Sequence, residues 1–145
     1  MIKLDLTPYT QMATHALSDF PDECCGFLYG LEKATGHRSI TVIREVINAK
    51  SGDKRRRFEI TPRDYMRAEH FAIENNVILL GVYHSHPNHP AIPSEHDRIA
   101  AQPYFSYVIV SVMHGVIDHI RSWRLNEASV FEEESFSTVK INQHI

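Results

Sequence analysis

Residues 84 to 97, HSHPNHPAIPSEHD, combine metal-binding side chains with residues that stiffen the chain. This window contains four of the chain's ten histidines, three prolines and one aspartate. His84 and His86 are two residues apart, so in a strand both side chains point to the same face and can bind one ion. With a carboxylate such as Asp97 they form a donor set of the kind that catalytic zinc uses, leaving a fourth position for water. The window therefore predicts a zinc site.

The segment between the histidines and Asp97 has features that would hold the aspartate in place. Its backbone is restricted by Pro87, Pro90 and Pro93, which reduces the entropy lost on ordering it. Ser94 is typical of a helix N-cap, and it would put Asp97 at the third helical position, where the helix dipole favours a carboxylate. Ser-x-x-Asp alone is common in ordinary capping, and a single His-x-His is also weak. Their combination is much more specific.

Glu23 completes the predicted chemistry, whereas two nearby histidines are left out of it. Water bound to zinc still has a proton to pass to the leaving group, and a glutamate usually carries it. Glu23 in DECCGFLYG stands directly before a predicted buried strand, although a lone glutamate there is usually a solvated loop residue. We do not assign His89 or His96 as ligands, since His96 would point about 100° away from Asp97 on the same helix.

The elements expected to position these residues alternate between strands and helices. Residues 77 to 83 (VILLGVY) form an apolar run that predicts a strand buried on both faces, and it ends where the histidine window begins. Thr61 and Pro62 are typical of a helix start. The other predicted elements are helices over residues 8 to 19, 61 to 76 and after Ser94, and strands over residues 25 to 30, 37 to 49, 107 to 112 and 116 to 125. This order predicts an α/β domain whose mixed central sheet is flanked by helices.

Length and composition limit the class of protein. A chain of 145 residues fits one compact domain, so we expect residues 1 to 145 to form a single unit. The formal net charge of -3 gives no electrostatic reason to bind nucleic acid. The N-terminus has no secretory pattern and no apolar run could cross a bilayer, so we expect a cytoplasmic protein without a membrane partner. The adjacent Cys24 and Cys25 are expected to be reduced thiols.

The order and spacing of these residues resemble the JAMM motif of the MPN+ (JAB-type) metalloproteases. Glu23 in ECCG is followed by HSHP at residues 84 to 87 and by SEHD at residues 94 to 97. Asn48, the RFEI segment with Pro62, the GVY before the histidines and the late SWR are similar to the small prokaryotic branch of that family. The likeness spans about residues 20 to 125, and chance agreement with so long a motif is improbable.

The resemblance implies a role for each motif residue. His84, His86 and Asp97 would bind zinc, Glu23 would be the general acid and base, and Ser94 would polarise the scissile carbonyl and stabilise its oxyanion. The implied fold is the cytidine-deaminase-like α/β (JAB/MPN) domain.

The resemblance also implies a substrate. The reaction would hydrolyse the peptide bond after the terminal glycine of a ubiquitin-like sulfur-carrier protein, releasing cysteine or a short extension. The partner would be the carrier's C-terminal tail. Because 145 residues leave little room for insertions that wrap a folded partner, we expect a groove that accepts this tail, and extended tails can bind by adding to a sheet edge. The sequence determines neither the particular carrier, the residue released, the pathway nor the oligomeric state.

Other readings of the residues stay open. HSHPNH approximates the His-x-His-x-Asp-His signature of metallo-β-lactamase-like hydrolases, although Asn88 stands where that signature needs aspartate. A zinc nucleoside deaminase lacks support, because its Pro-Cys-x-x-Cys element is absent. A non-catalytic MPN-type binding module is a further alternative, although such a module would have lost ligands that are intact here.

Two features have no assigned function. Cys24, next to the motif cysteine Cys25, is more typical of packing than of metal ligation. The basic run KRRR at residues 54 to 57 is typical of a solvated loop, and a functional role would be binding to an acidic protein surface or a substrate carboxylate.

Overall fold

A computed structural model describes residues 1 to 138 as one eight-stranded sheet with three helices. In chain order the elements are β1 Ile2–Leu4, α1 Leu6–Asp19, β2 Cys25–Glu32, β3 Arg38–Val46, α2 Pro62–Glu74, β4 Ile78–Pro87, α3 Glu95–Ala100, β5 Ser106–Met113, β6 Val116–Leu125, β7 Phe131–Glu134 and β8 Phe136–Thr138. Among the described residues no helix is both long and apolar enough to cross a membrane.

The sheet is mixed, and the strand that carries the two motif histidines lies near its centre. The strand order is β7-β6-β5-β4-β2-β3-β1-β8. β4 runs parallel to β5 and antiparallel to β2. β1 pairs in parallel with β3 and with β8, and the remaining neighbours are antiparallel. The predicted mixed central sheet is confirmed.

Two apolar clusters cover opposite faces of the sheet, as the two-residue period of its strands requires. In β2, Leu28 belongs to one cluster, while Phe27 and Tyr29 belong to the other. The Leu28 cluster also contains Met12 and Ala16 of α1, and the opposite cluster contains Ala68 and Ala72 of α2. The sheet is therefore flanked by a helix on each face, which confirms the predicted α/β class. Cys24 and Cys25 are buried in opposite clusters as free thiols, so both serve packing.

β4 is buried on both faces, as the apolar run predicted, but it continues farther than that run. Every residue from Leu80 to Pro87 is buried. Pairing with β5 extends the strand as far as Pro87, which lies opposite Val112. His84 and His86 are therefore residues of a central strand, where backbone pairing on both sides fixes the direction of their side chains.

Several element boundaries differ from the sequence-based expectation. α1 begins at Leu6, two residues before the predicted start, and β3 ends at Val46, before the predicted residue 49. β1, β7 and β8 were not predicted, because strands of three or four residues carry little periodicity and depend on a partner strand. The single-domain prediction for residues 1 to 145 stays a prediction, and residues 139 to 145 lie outside the described part.

Candidate metal centre

The register between β2 and β4 brings Glu23 next to the motif histidines. Cys25 pairs with His84 across these antiparallel strands. Two hydrogen bonds join Ser85 to Cys24, the residue that follows Glu23. The Ser85 N–H donates to the Cys24 carbonyl at 3.2 Å, and the Ser85 Oγ accepts from the Cys24 N–H at 2.8 Å. Glu23 Oε1 consequently lies 3.8 Å from Nδ1 of His84. The serine between the two histidines thus fixes the backbone beside Glu23.

The helix cap of α3 presents the carboxylate of Asp97 to both histidines. Ser94 Oγ accepts from the Asp97 N–H at 3.0 Å, and Asp97 Oδ2 accepts from the Ser94 N–H at 2.9 Å, which completes a capping box. Asp97 occupies the third helical position as predicted. Its Oδ2 lies 3.1 Å from Nε2 of His86 and 3.8 Å from Nε2 of His84. Ser94 itself is exposed.

Strand β6 holds the proline-containing loop between β4 and α3. The Ala91 N–H donates to Nε2 of His119 at 2.9 Å, and Nε1 of Trp123 donates to the Ala91 carbonyl at 3.0 Å. The side chain of Asn88 caps the neighbouring β5–β6 turn, where its Oδ1 accepts from the His114 N–H at 2.8 Å. Asn88 thus has a structural role, and nothing in this loop supports the metallo-β-lactamase reading. The loop is fixed by tertiary contacts in addition to its prolines.

The hydrogen bond of His86 directs its second nitrogen to the metal centre. Nδ1 lies 2.8 Å from the Pro90 carbonyl, and because a carbonyl only accepts, Nδ1 carries the proton. In the neutral ring Nε2 therefore carries a lone pair, and this nitrogen lies 3.1 Å from a carboxylate oxygen of Asp97. Either a second proton on the ring or a metal ion bound by both atoms satisfies this contact. The carbonyl thus acts as the outer partner that sets the tautomer of many metal-binding histidines.

His84 has the features of a metal ligand. Its ring is fully buried and stacks on Phe58 with the ring centroids 4.5 Å apart. Neither ring nitrogen has a hydrogen-bond partner among the described residues. Burial lowers the pKa of His84 to about 4, so the ring is neutral at pH 7 and can offer a lone pair. An unpartnered buried polar group costs about 1–3 kcal/mol, which a bound cation would remove.

The two carboxyl groups of the centre differ in their protonation. Burial raises the pKa of Glu23 to about 9, with smaller contributions from the negative charges of Asp97 and Asp53. Burial also acts to raise the pKa of Asp97, but its interactions with His84 and His86 and the hydrogen bond from the Ser94 N–H outweigh burial, so its pKa lies below the usual value. At neutral pH Glu23 is therefore protonated, whereas Asp97 is an ionised carboxylate. Two titratable groups with such different pKa values suit an acid and a ligand.

The donor set fits a divalent ion such as zinc. Ligand atoms of Glu23, His84 and His86 all lie within 4.8 Å of one another. Asp97 is not part of this closest group, but its Oδ2 lies 3.8 and 3.1 Å from Nε2 of His84 and His86. With Asp97 the centre therefore contains two buried imidazoles and two buried carboxyl groups. His89 is exposed and His96 lies in the wall of a neighbouring groove, so neither joins this set.

Comparison with known proteins identifies the family. A family model described as prokaryotic homologs of the JAB domain matches residues 8–126. The chain belongs to this family. The resemblance inferred from the JAMM motif, and the JAB/MPN fold that it implied, are thereby confirmed.

This JAB protein is similar to a named peptidase and to solved structures. It is 31% identical over 137 residues to the CysO-cysteine peptidase of Mycobacterium tuberculosis, covering 92% of this chain and 87% of that protein. A solution structure from Desulfitobacterium hafniense has 27% identity and a TM-score of 0.83, covering 99% of this chain and 97% of that one. A structure described as a JAMM metalloprotease-like zinc site in the proteasome and signalosome has a TM-score of 0.57 at 16% identity, covering 97% and 99% of the two chains, and it shows the fold alone.

Asn48 is a buried residue of this JAB domain whose position the local sequence pattern did not reveal. Its Nδ2 donates to the Glu23 carbonyl and to the Arg57 carbonyl, each at 3.1 Å. Its Oδ1 accepts from the N–H groups of Lys50 and Glu59 at 3.0 and 3.1 Å. One amide group therefore ties the basic loop to the backbone of Glu23. Periodicity carries no signal for such a residue, and only the resemblance to the prokaryotic branch drew attention to it.

We expect Asn48→Ala to lower the free energy of unfolding by about 2–4 kcal/mol, because it removes four hydrogen bonds worth roughly 1 kcal/mol each. Urea titration followed by circular dichroism measures the change. Asn126→Ala is a matched control, since Asn126 also accepts from two backbone N–H groups, in the turn before β7, but is not buried in the core. Equal loss in the two variants would contradict a special role for Asn48.

Two grooves meet at the metal centre of the JAB domain. The aromatic groove has a volume of about 620 Å³ and is lined by His84, Asp97 and several rings, which are those of Phe58, Tyr65, Phe105 and Tyr107. The polar groove has a volume of about 550 Å³ and is lined by Glu23, Asn48, Lys54 and side chains of α1. Both volumes are within the range of ligand pockets, roughly 300–1,000 Å³. Residues of the candidate metal centre therefore line both an aromatic groove and a polar groove.

Proposed function

We propose that this protein is a zinc-dependent peptidase that hydrolyses the peptide bond after the terminal glycine of a ubiquitin-like sulfur-carrier protein, releasing cysteine or a short C-terminal extension. The observation that carries the proposal is the pair of unpartnered nitrogens on the buried His84 ring, beside a His86 nitrogen that faces the Asp97 carboxylate. These donor atoms could hold one divalent cation.

His84, His86 and Asp97 are the proposed zinc ligands, and Glu23 is proposed to remain outside the ligand set. Asp97 faces Nε2 of both histidines, whereas Glu23 faces Nδ1 of His84. Asp97 is also the carboxyl group that stays ionised, as a ligand must. When bound, zinc polarises a carbonyl oxygen and lowers the pKa of a bound water.

Glu23 is proposed to move the protons of the reaction. Its carboxyl group is buried, and Oε1 has no hydrogen-bond partner among the described residues, so it is available to exchange a proton. Burial raises the pKa of Glu23 above that of a solvated glutamate, which suits a group that holds a proton and passes it to the leaving amine. Ser94 is proposed as the oxyanion donor: its Oγ accepts from the Asp97 N–H, which leaves its own proton free to donate.

The proposed substrate position is a groove and not an edge of the central sheet. Strands β4 and β2 are each the fourth strand from an edge of the eight-stranded sheet. With strands about 4.8 Å apart, either edge lies roughly 14 Å or more from the motif strands. A tail added to β7 or β8 would therefore be remote from Glu23. A glycine-rich tail can lie in the aromatic groove beside His84, because its backbone approaches closely without side chains.

The test is to incubate the zinc-loaded protein with β-grasp carriers that end in Gly-Gly-Cys or in Gly-Gly followed by a dipeptide, and to follow the intact mass. We expect loss of the extension and retention of the Gly-Gly terminus. The same carriers with the last glycine replaced by valine should be cleaved at least about tenfold more slowly, since a side chain beside the metal blocks the approach of the backbone. Cleavage of unrelated peptides without cleavage of any carrier would overturn the proposal.

A further inference from the structure

The position of the proton donor assigns the two grooves to the two halves of the substrate. Glu23 lines the polar groove, whereas His84 and Asp97 line the aromatic groove. In peptide hydrolysis the leaving amine takes a proton from the general acid, so that amine must approach Glu23. If the carrier tail lies in the aromatic groove, the residue that leaves lies in the polar groove. This step rests on the proposed function.

Lys54 gives the polar groove a positive charge close to Glu23. The Glu23 N–H donates to the Lys54 carbonyl at 2.7 Å, so the two backbones are in direct contact. Lys54 is among the residues that line the groove, and its ammonium group takes part in none of the ion pairs formed by the described residues. In the neighbouring basic run, Arg56 lies 3.8 Å from Asp53 instead. Lys54 is therefore the cation of this run that is available to a ligand in the groove.

The acidic side chains of the polar groove have a different arrangement. Asp19 and Glu45 both face Nε2 of His15, at 3.3 and 3.4 Å, so their charge is partly engaged within the protein. Asp22 and Glu23 also line the groove. The groove thus offers acidic groups for an amine and one cation for a carboxylate. This combination matches a free amino acid, in which an ammonium and a carboxylate are separated by a single carbon.

We propose that Lys54 binds the α-carboxylate of a single C-terminal residue, so that the enzyme preferentially releases one amino acid and disfavours longer extensions. In the last residue of a chain the carboxylate is one carbon away from the scissile nitrogen, which places it beside Glu23 and within the polar groove. A second residue would replace that carboxylate with a neutral amide and would move the charge away from Lys54.

The test compares a carrier ending in Gly-Gly-Cys with the same carrier ending in Gly-Gly-Cys carboxamide, with cleavage followed by intact mass. The thiol is present in both substrates, so any binding of the thiol to zinc cancels. We expect kcat/KM of the unmodified protein to be about 5- to 30-fold higher for the free acid, the range for a charge-assisted hydrogen bond of modest exposure. Lys54→Ala should remove this preference while still cleaving the carboxamide, since the Lys54 backbone carbonyl that holds Glu23 is retained.

Two further variants distinguish binding of the substrate carboxylate by Lys54 from a general effect of positive charge on the basic run. Lys54→Arg should restore most of the preference for the free acid, and Arg56→Ala should keep it in full, because Arg56 does not line the groove. Equal cleavage of the acid and the carboxamide by the unmodified protein would overturn this inference and leave the proposed function standing. If Lys54→Ala kept the preference for the free acid over the carboxamide, this inference would also be overturned while the proposed function stood. Failure of the unmodified protein to cleave either substrate would overturn both.

Discussion

Replacing Glu23 with glutamine should leave the metal in place and lower the turnover of a carrier substrate by about 10²–10⁴-fold, the range of general acid and base catalysis. The amide has nearly the same shape as the carboxylic acid, but it cannot exchange the proton. Glu23 Oε1 has no hydrogen-bond partner among the described residues, so the substitution breaks no structural contact of that atom. Single-turnover kinetics, with the zinc content measured on the same sample, test the expectation.

Glu74→Gln is the matched control for this variant, since Glu74 is an exposed glutamate of α2 that lines neither groove of the metal centre. It should retain the turnover of the unmodified protein. Metal-loaded Glu23→Gln that turns over at the normal rate would remove Glu23 from the proposed mechanism, even if the protein proved to be a peptidase.

Substitution of a proposed zinc ligand should remove the metal and retain the fold, in contrast to Glu23→Gln, which should keep the metal. We expect His86→Ala and Asp97→Asn to weaken zinc binding by more than the roughly 10–100-fold that removal of an outer partner typically costs. Asp97→Asn is more informative than the alanine variant, because an amide oxygen can still accept the Ser94 N–H that completes the helix cap. Turnover should fall together with zinc content.

Elemental analysis after dialysis gives the metal content, and thermal unfolding gives an independent measure. A ligand that binds only the folded state raises its stability, so added zinc should raise the Tm of the unmodified protein and of Glu23→Gln. It should not raise the Tm of Asp97→Asn. His89→Ala, in the same sequence window but exposed, is the control that should keep its zinc. Retained zinc in Asp97→Asn with loss in Glu23→Gln would exchange the proposed roles of the two carboxyl groups.

Short-range patterns in the sequence were sufficient for the fold class and for much of the candidate site. The apolar run before His84 predicted a central strand, and alternation placed His84 and His86 on one face. Ser94 predicted the helix cap and hence the position of Asp97 in its first turn. These features depend on residues a few positions apart, where the period of a strand or the geometry of a helix end dictates direction. β1 and β8 escaped prediction because they pair with strands distant in sequence, and β7 because a strand of four residues carries little periodicity.

Only the tertiary structure determined which distant residues of the site lie next to one another and how burial changes their pKa values. Cys24 and Ser85 are 61 positions apart, and the two hydrogen bonds between them set Glu23 beside His84. Burial then raises the pKa of Glu23 and lowers that of His84, an effect that residue type alone cannot specify. The sheet order places the motif strands far from either edge, which is why we propose a groove and not a sheet edge for the substrate tail. Register, burial and strand order arise from contacts between residues remote in sequence. Local periodicity therefore indicates which side chains share a face, whereas long-range packing determines which of them come together in the site.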